Sequence, residues 1–145
     1  EVYAEEKDPG LRPEGHPKEK GPGLGSSEAH SKTVNAILLA LSKTGQCRVW
    51  KNATGVAISP DGARVVSYGL KGSSDILGIT SDGKLLAFEV KTGKARQSKQ
   101  QRLFEAMISR FGGRYRVVRS ALEATSYMDT LCLKSLSPGK LTPSA

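Results

Sequence analysis

Two short runs constrain this chain more than anything else in it: Asp75–Thr80 and Lys84–Lys91, separated by Ser81-Asp82-Gly83. A three-residue connection ending in glycine suits a tight β-hairpin, because glycine takes the left-handed conformation such a loop needs. That loop length pairs Thr80 with Lys84, and counting outward sets Asp75 opposite Glu89. Directly opposed residues share one face of a sheet, with Cβ atoms roughly 5 Å apart. Lys91, two residues beyond Glu89, falls on the same face, whereas Leu86, Phe88 and Val90 fall on the other. Three charged side chains should therefore converge beside a strand that is otherwise core.

The rest of the chain sorts around this hairpin. Ser26 or Ser27 can cap a helix running to about Lys43, with Glu28 in its first turn and Gly45 just past its end. Val34, Ala36, Ile37, Leu38, Leu39, Ala40 and Leu41 cover most of its circumference, which predicts burial on more than one side. Short β-like runs follow at Cys47–Lys51, Val56–Ser59 and Arg64–Gly69, the last two joined by a reverse turn at Ser59-Pro60-Asp61-Gly62. Beyond the hairpin, Ser98 can cap a helix through Phe111. Its stripe of Leu103, Phe104, Met107, Ile108 and Phe111 is amphipathic. Tyr115–Arg119 reads as a strand and Ala121–Leu133 as a final helix. The pattern predicts an α/β fold, a mixed β-sheet flanked by helices.

Residues 1–26 carry four Pro, five Gly and ten charged side chains with few apolar ones. Such a stretch cannot bury enough surface to offset its ordering entropy, so a flexible tail is expected there and again at 134–145. The working domain would be 27–133. At 145 residues a single domain is the natural outcome. The longest apolar run, Ala36–Leu41, is far short of the ~20 residues that span a bilayer. Two cysteines, Cys47 and Cys132, give neither a disulfide framework nor a four-thiolate zinc site, and fit a reducing cytoplasm and small core positions.

The opposed acids raise a chemical question. Two carboxylates facing each other repel unless a cation or a proton intervenes. Oxygen donors suit Mg²⁺ or Mn²⁺, and Mg²⁺ commonly takes one or two protein carboxylates plus water and substrate phosphate. A neighbouring lysine can hold an attacking water or stabilise charge on a phosphate. Asp75, Glu89 and Lys91 thus point to metal-assisted phosphodiester hydrolysis. The charge distribution agrees: the chain carries a net +8, and residues 84–119 hold ten basic side chains against Glu89 and Glu105. Such a belt suits a nucleic-acid backbone, with Lys94, Arg96 and Lys99 placed to position phosphates.

At these residues the sequence resembles a known family. Gly72-Ser73-Ser74-Asp75 followed by Phe88-Glu89-Val90-Lys91 is similar to the D…(D/E)-x-K signature of the PD-(D/E)XK nuclease superfamily. More narrowly, it resembles the small stand-alone VRR-NUC domains of phages and bacteria. Trp50–Gly55, Tyr68–Ile79, Glu89–Gly93, Ser98–Phe104 and Phe111-Gly112-Gly113 continue the likeness, over about residues 27–124. Ser74 stands where many members have proline. The resemblance implies a restriction-endonuclease-like core and a homodimer that cleaves branched DNA such as four-way junctions. It implies that Asp75, Glu89 and the Val90 main-chain carbonyl bind the metal, with Lys91 on the water and Gln101 supporting the site. Glu28 would be the acidic ligand from the first helix. Arg102 and Lys71 join the candidate DNA contacts.

Competing readings are a non-catalytic basic nucleic-acid-binding module and a sequence-specific restriction-type endonuclease. The first leaves the acid pair unexplained; the second needs a base-reading element that a chain this short has little room for. His16 and His30 have no partner pattern and read as incidental. Trp50 reads as a partly buried strand aromatic. The glycines at 69, 72, 78 and 83 precede no helix, which disfavours a nucleotide triphosphatase.

Overall fold

The computed structural model describes residues 24–136. Its elements are α1 (Leu24–Thr44), β1 (Cys47–Lys51), β2 (Gly55–Ile58), β3 (Val65–Tyr68), β4 (Ile76–Thr80), β5 (Leu85–Val90), α2 (Lys99–Arg110), β6 (Arg114–Val118) and α3 (Ala121–Leu136). α1 begins at Leu24, ahead of the cap expected at Ser26 or Ser27, and α3 runs to Leu136. The expected tails otherwise lie outside the described residues. Among the described residues, no helix is long and apolar enough to cross a membrane.

β5 is the spine of a four-stranded mixed sheet ordered β1-β4-β5-β6. Ile76 pairs with Phe88 and Ile79 with Leu85, the register expected from the loop length. Gly83 takes φ 76°, and Thr80 N–H donates to Lys84 O at 3.0 Å. β6 joins β5 in parallel, so α2 serves as the crossover between them. Among the described residues, β2 and β3 pair only with each other, as a separate hairpin.

Alternation along β5 divides the core. Leu86, Phe88 and Val90 pack with Val34, Ile37 and Leu41 of α1 and Ala124 and Met128 of α3. Phe88 also meets the Tyr127 ring edge-on, with centroids 5.9 Å apart. Ala87, on the other face, packs with Phe104 and Ile108 of α2 and Tyr115 of β6. Helices thus cover both faces, a three-layer α/β arrangement. Removing the Phe88 ring would cost about 3–5 kcal/mol, the usual toll for a buried aromatic.

Three expectations about burial are corrected. α1 buries one stripe and not most of its circumference: Ala36 and Leu39 are exposed. Of the apolar stripe on α2, Phe104 and Ile108 are buried against the sheet, while Leu103 and Phe111 stay 62% and 82% exposed. Residues 103 and 107 are each rotated about 100° from the contacting pair, and 111 lies at the C-cap. Cys132 is exposed where a core position was expected, while Cys47 does pack against the core and Trp50, about half exposed on β1, is partly buried as expected.

Candidate active site

The site forms at the C-terminal end of β5, where four segments meet. Glu89 is 1% exposed and points to the α2 side of the sheet, like Ala87 two residues before it. Lys91 Nζ lies 2.8 Å from Glu89 Oε1 and donates to Gln101 Oε1 at 2.9 Å. Gln101 Nε2 donates to the same Glu89 oxygen. Glu89 Oε1 is therefore doubly satisfied, while Oε2 is buried with no hydrogen-bond partner among the described residues.

An unpartnered buried carboxylate oxygen is costly. Burial raises the Glu89 carboxyl to about 7; the Lys91 hydrogen bond opposes that rise and the charge of Asp75 adds to it. A cation meeting Oε2 would relieve both the lost solvation and the repulsion.

Gln101 owes its place to a local rule. Ser98 caps α2 and accepts from Gln101 N–H, while Gln101 Oε1 accepts from Ser98 N–H at 2.8 Å. This reciprocal capping box needs Ser-x-x-Gln at that spacing. The cap therefore orients the side chain that braces Lys91 and Glu89.

Asp75 lies one residue before the paired part of β4, beside Glu89 in the hairpin register. Its Oδ2 accepts from Val90 N–H at 2.8 Å, satisfying a donor on β5 next to the end of its pairing with β4. Asn52 holds the approach to it. Its backbone N–H donates to Asp75 O at 2.8 Å, and its side chain donates to Ser73 Oγ and Ser74 O at 2.7 and 2.8 Å.

From α1, His30 Nε2 sits 3.2 Å from Val90 O and 3.4 Å from Asp75 Oδ2. The reading of His30 as incidental is thus corrected. Glu28 does not reach the site: it is exposed and pairs with Lys32 at 2.7 Å. The signal lay in the helix periodicity. Val34, Ile37 and Leu41 form the buried stripe, and one turn back from Val34 is His30. Asn52 offered no comparable signal, because an asparagine after a strand suits any turn.

The basic belt also divides. Lys84, just before β5, sits at the hairpin end, roughly 20 Å from Lys91 at strand rise. Arg110 ends α2, about 16 Å from Lys99 at helix rise. Arg116 stacks over Tyr127 of α3, 5.5 Å from the ring centroid. Lys91, Lys94, Arg96, Lys99, Arg102 and Arg119 belong by position to the site end. Arg102 donates to Gln97 O and Arg119 to Ala95 O, tethering the loop that bears exposed Lys94 and Arg96. Lys71 is exposed beside Gly72, which docks against Gln100.

No three His, Cys, Asp or Glu side chains among the described residues are disposed to hold a metal by themselves. A cation here would also use the Val90 carbonyl, water and substrate oxygens, the habit of Mg²⁺. A cleft of about 480 Å³ lined by Thr80, Asp82, Arg114 and Lys134 lies at the hairpin end, away from these residues. No family model matches the chain, and a search of curated proteins finds no match either.

Proposed function

We propose that this chain is a Mg²⁺- or Mn²⁺-dependent endonuclease that hydrolyses phosphodiester bonds in branched duplex DNA. The observation that carries the reading is the unpartnered, buried Oε2 of Glu89 beside Asp75. A purely structural salt bridge would need only Oε1, which Lys91 and Gln101 already satisfy.

The donor set fits a hard cation: Glu89 Oε2, the Asp75 carboxylate and the Val90 carbonyl oxygen would hold it. When bound, the ion would supply Lewis acidity at the phosphate and a more acidic water. Lys91 spends two N–H groups on Glu89 and Gln101, leaving a third for the attacking water or the phosphate charge. Gln101 keeps that ammonium in place. Lys94, Arg96 and Lys99 position the DNA backbone without reading bases, with Lys71 and Arg102 beside them.

The sheet with helices on both faces accommodates the restriction-endonuclease-like core implied by the resemblance at Asp75 and Glu89-Val90-Lys91. Paired cuts across a symmetric junction call for a homodimer, since each chain supplies one site. Val56, Ile58, Val65, Val66 and Tyr68, all exposed on β2 and β3, offer apolar area for such a contact.

The test is to incubate the full chain with a four-way junction and a linear duplex, in Mg²⁺, Mn²⁺ or Ca²⁺. Junction cleavage in Mg²⁺ or Mn²⁺, lost in Glu89→Gln with Ca²⁺-supported binding kept, is expected. Binding without cleavage under every condition would leave the non-catalytic module instead.

A further inference from the structure

Four basic side chains that the proposed chemistry does not use gather away from the acids. Arg114 and Arg116 stand in register with Leu86 and Phe88, so they project from the α1–α3 face of the sheet, and Lys84 does so by alternation before Leu86. Lys134 joins them from the last turn of α3. Glu89 and Lys91 project from the other face, at the other end of β5.

Contacts link the four into one surface. The Thr80 hydroxyl holds the Asp82 carboxyl below its ordinary value, and the charges of Lys84 and Arg114 lower it further. Burial raises the Tyr127 hydroxyl, and Arg114 and Arg116 both oppose that rise. Lys134 lines one cleft with Arg114 and an adjoining one with Arg116. Lys84, Arg116 and Lys134 are exposed, and among the described residues none of the four has an ion-pair partner. The acids beside them are already engaged: Asp82 accepts from Thr80, and Glu123 from Arg119 N–H. Cations so grouped repel one another, a cost that a polyanion relieves.

We propose that Lys84, Arg114, Arg116 and Lys134 form a second phosphate-backbone surface, which holds another duplex arm of the branched DNA cut at Asp75 and Glu89. This rests on the nuclease reading above and adds how a branch is told from a linear duplex. A duplex lying on Lys94, Arg96 and Lys99 would have to bend round the molecule to reach the opposite face and end, and DNA is stiff over about 150 base pairs. Lys84 and Arg114 stand roughly 15–20 Å from Lys91 at strand rise. An arm that leaves a branch at an angle spans that offset unbent. Its contacts, being to phosphates, orient the junction without reading sequence.

The experiment measures binding of the full chain, in Ca²⁺ and across salt, to a four-way junction and a linear duplex. The triple variant Lys84→Ala, Arg114→Ala, Lys134→Ala leaves Arg116 on Tyr127 and so spares that packing. It should lose at least tenfold in junction affinity and less than threefold on the duplex, which also shows that it is folded. Its junction salt slope should fall by about 0.9 per lost phosphate contact. Lys84→Ala alone should give part of the loss, and the charge-keeping triple Lys84→Arg, Arg114→Lys, Lys134→Arg should restore most of it.

Equal losses on both DNAs, unchanged junction affinity, or a wild type without junction preference would overturn the second surface and leave the acids' role standing. Selective loss on the junction without cleavage in Mg²⁺ or Mn²⁺ would keep the surface and remove the nuclease. A wild type that binds neither DNA would remove both.

Discussion

Gly72 and Gln100 meet so closely that a Cβ on the glycine would fall 2.6 Å from Gln100 Cβ and 2.7 Å from its carbonyl carbon. Gly72 also holds φ 86°, where any other residue is strained. The contact docks the segment leading to Asp75 on the first turn of α2, one residue before Gln101. Gly72→Ala should cost about 2–3 kcal/mol, combining backbone strain with a clash against main chain. Gly83→Ala, at φ 76° with nothing within 4 Å among the described residues, should cost only about 1 kcal/mol. Urea midpoints of both variants give the difference, and equal losses would remove the docking argument.

Asn52→Ala deletes two side-chain hydrogen bonds to Ser73 and Ser74. A loss of about 1–3 kcal/mol is expected. Because Asp75 follows directly, Mn²⁺ affinity should fall as well, even though Asn52 is no ligand. Calorimetry showing full affinity would mean that Asp75 is held without this clamp.

Glu89 gives a pH signature in chelated, metal-free protein. Its carboxyl is raised from 4.5 to about 7, so between those values the folded chain retains a proton that the unfolded chain releases. By linkage this group's contribution to stability falls as pH rises through that window, by about 3 kcal/mol in total. Wild type minus Glu89→Gln, measured as unfolding free energy at pH 5 and pH 8, isolates the effect. A flat difference would contradict the buried-acid geometry.

Lys91 and Lys94 should separate rate from affinity. Lys91→Ala removes a partner of Glu89 Oε1 and should slow cleavage at least about 10²-fold with junction affinity little changed. Lys94→Ala with Arg96→Ala should instead weaken binding and lower the salt slope by about 0.9 per lost phosphate contact. Single-turnover rates at saturating DNA, with binding titrations across salt, distinguish the two.

Local rules made much of this legible. The Ser81-Asp82-Gly83 loop dictated the register that sets Asp75 beside Glu89, and Ser98 announced the α2 cap, though not the return bond from Gln101. Long-range packing was not legible. Leu103 and Phe111 fit an amphipathic stripe, but nothing in the periodicity tells how far the sheet extends beneath them. β2 and β3 are apolar enough to be core, yet pair only with each other. His30 was hidden because a histidine draws attention through neighbours in sequence, whereas its neighbours here lie on β5 and before β4. The basic residues of 84–119 look like one patch in sequence, but strand and helix rise carry several of them to the other end of the molecule.

The parallel step from β5 to β6 has an engineering consequence. It makes α2 begin where β5 ends, so the capping glutamine arrives at the acids through the helix start and not through the course of the intervening loop. Gly93–Arg96 lie exposed at the crest of that loop. Their charge and length could be redrafted, as one swaps the jaws of a tool, to retune grip on a polyanion while the cutting edge keeps its temper.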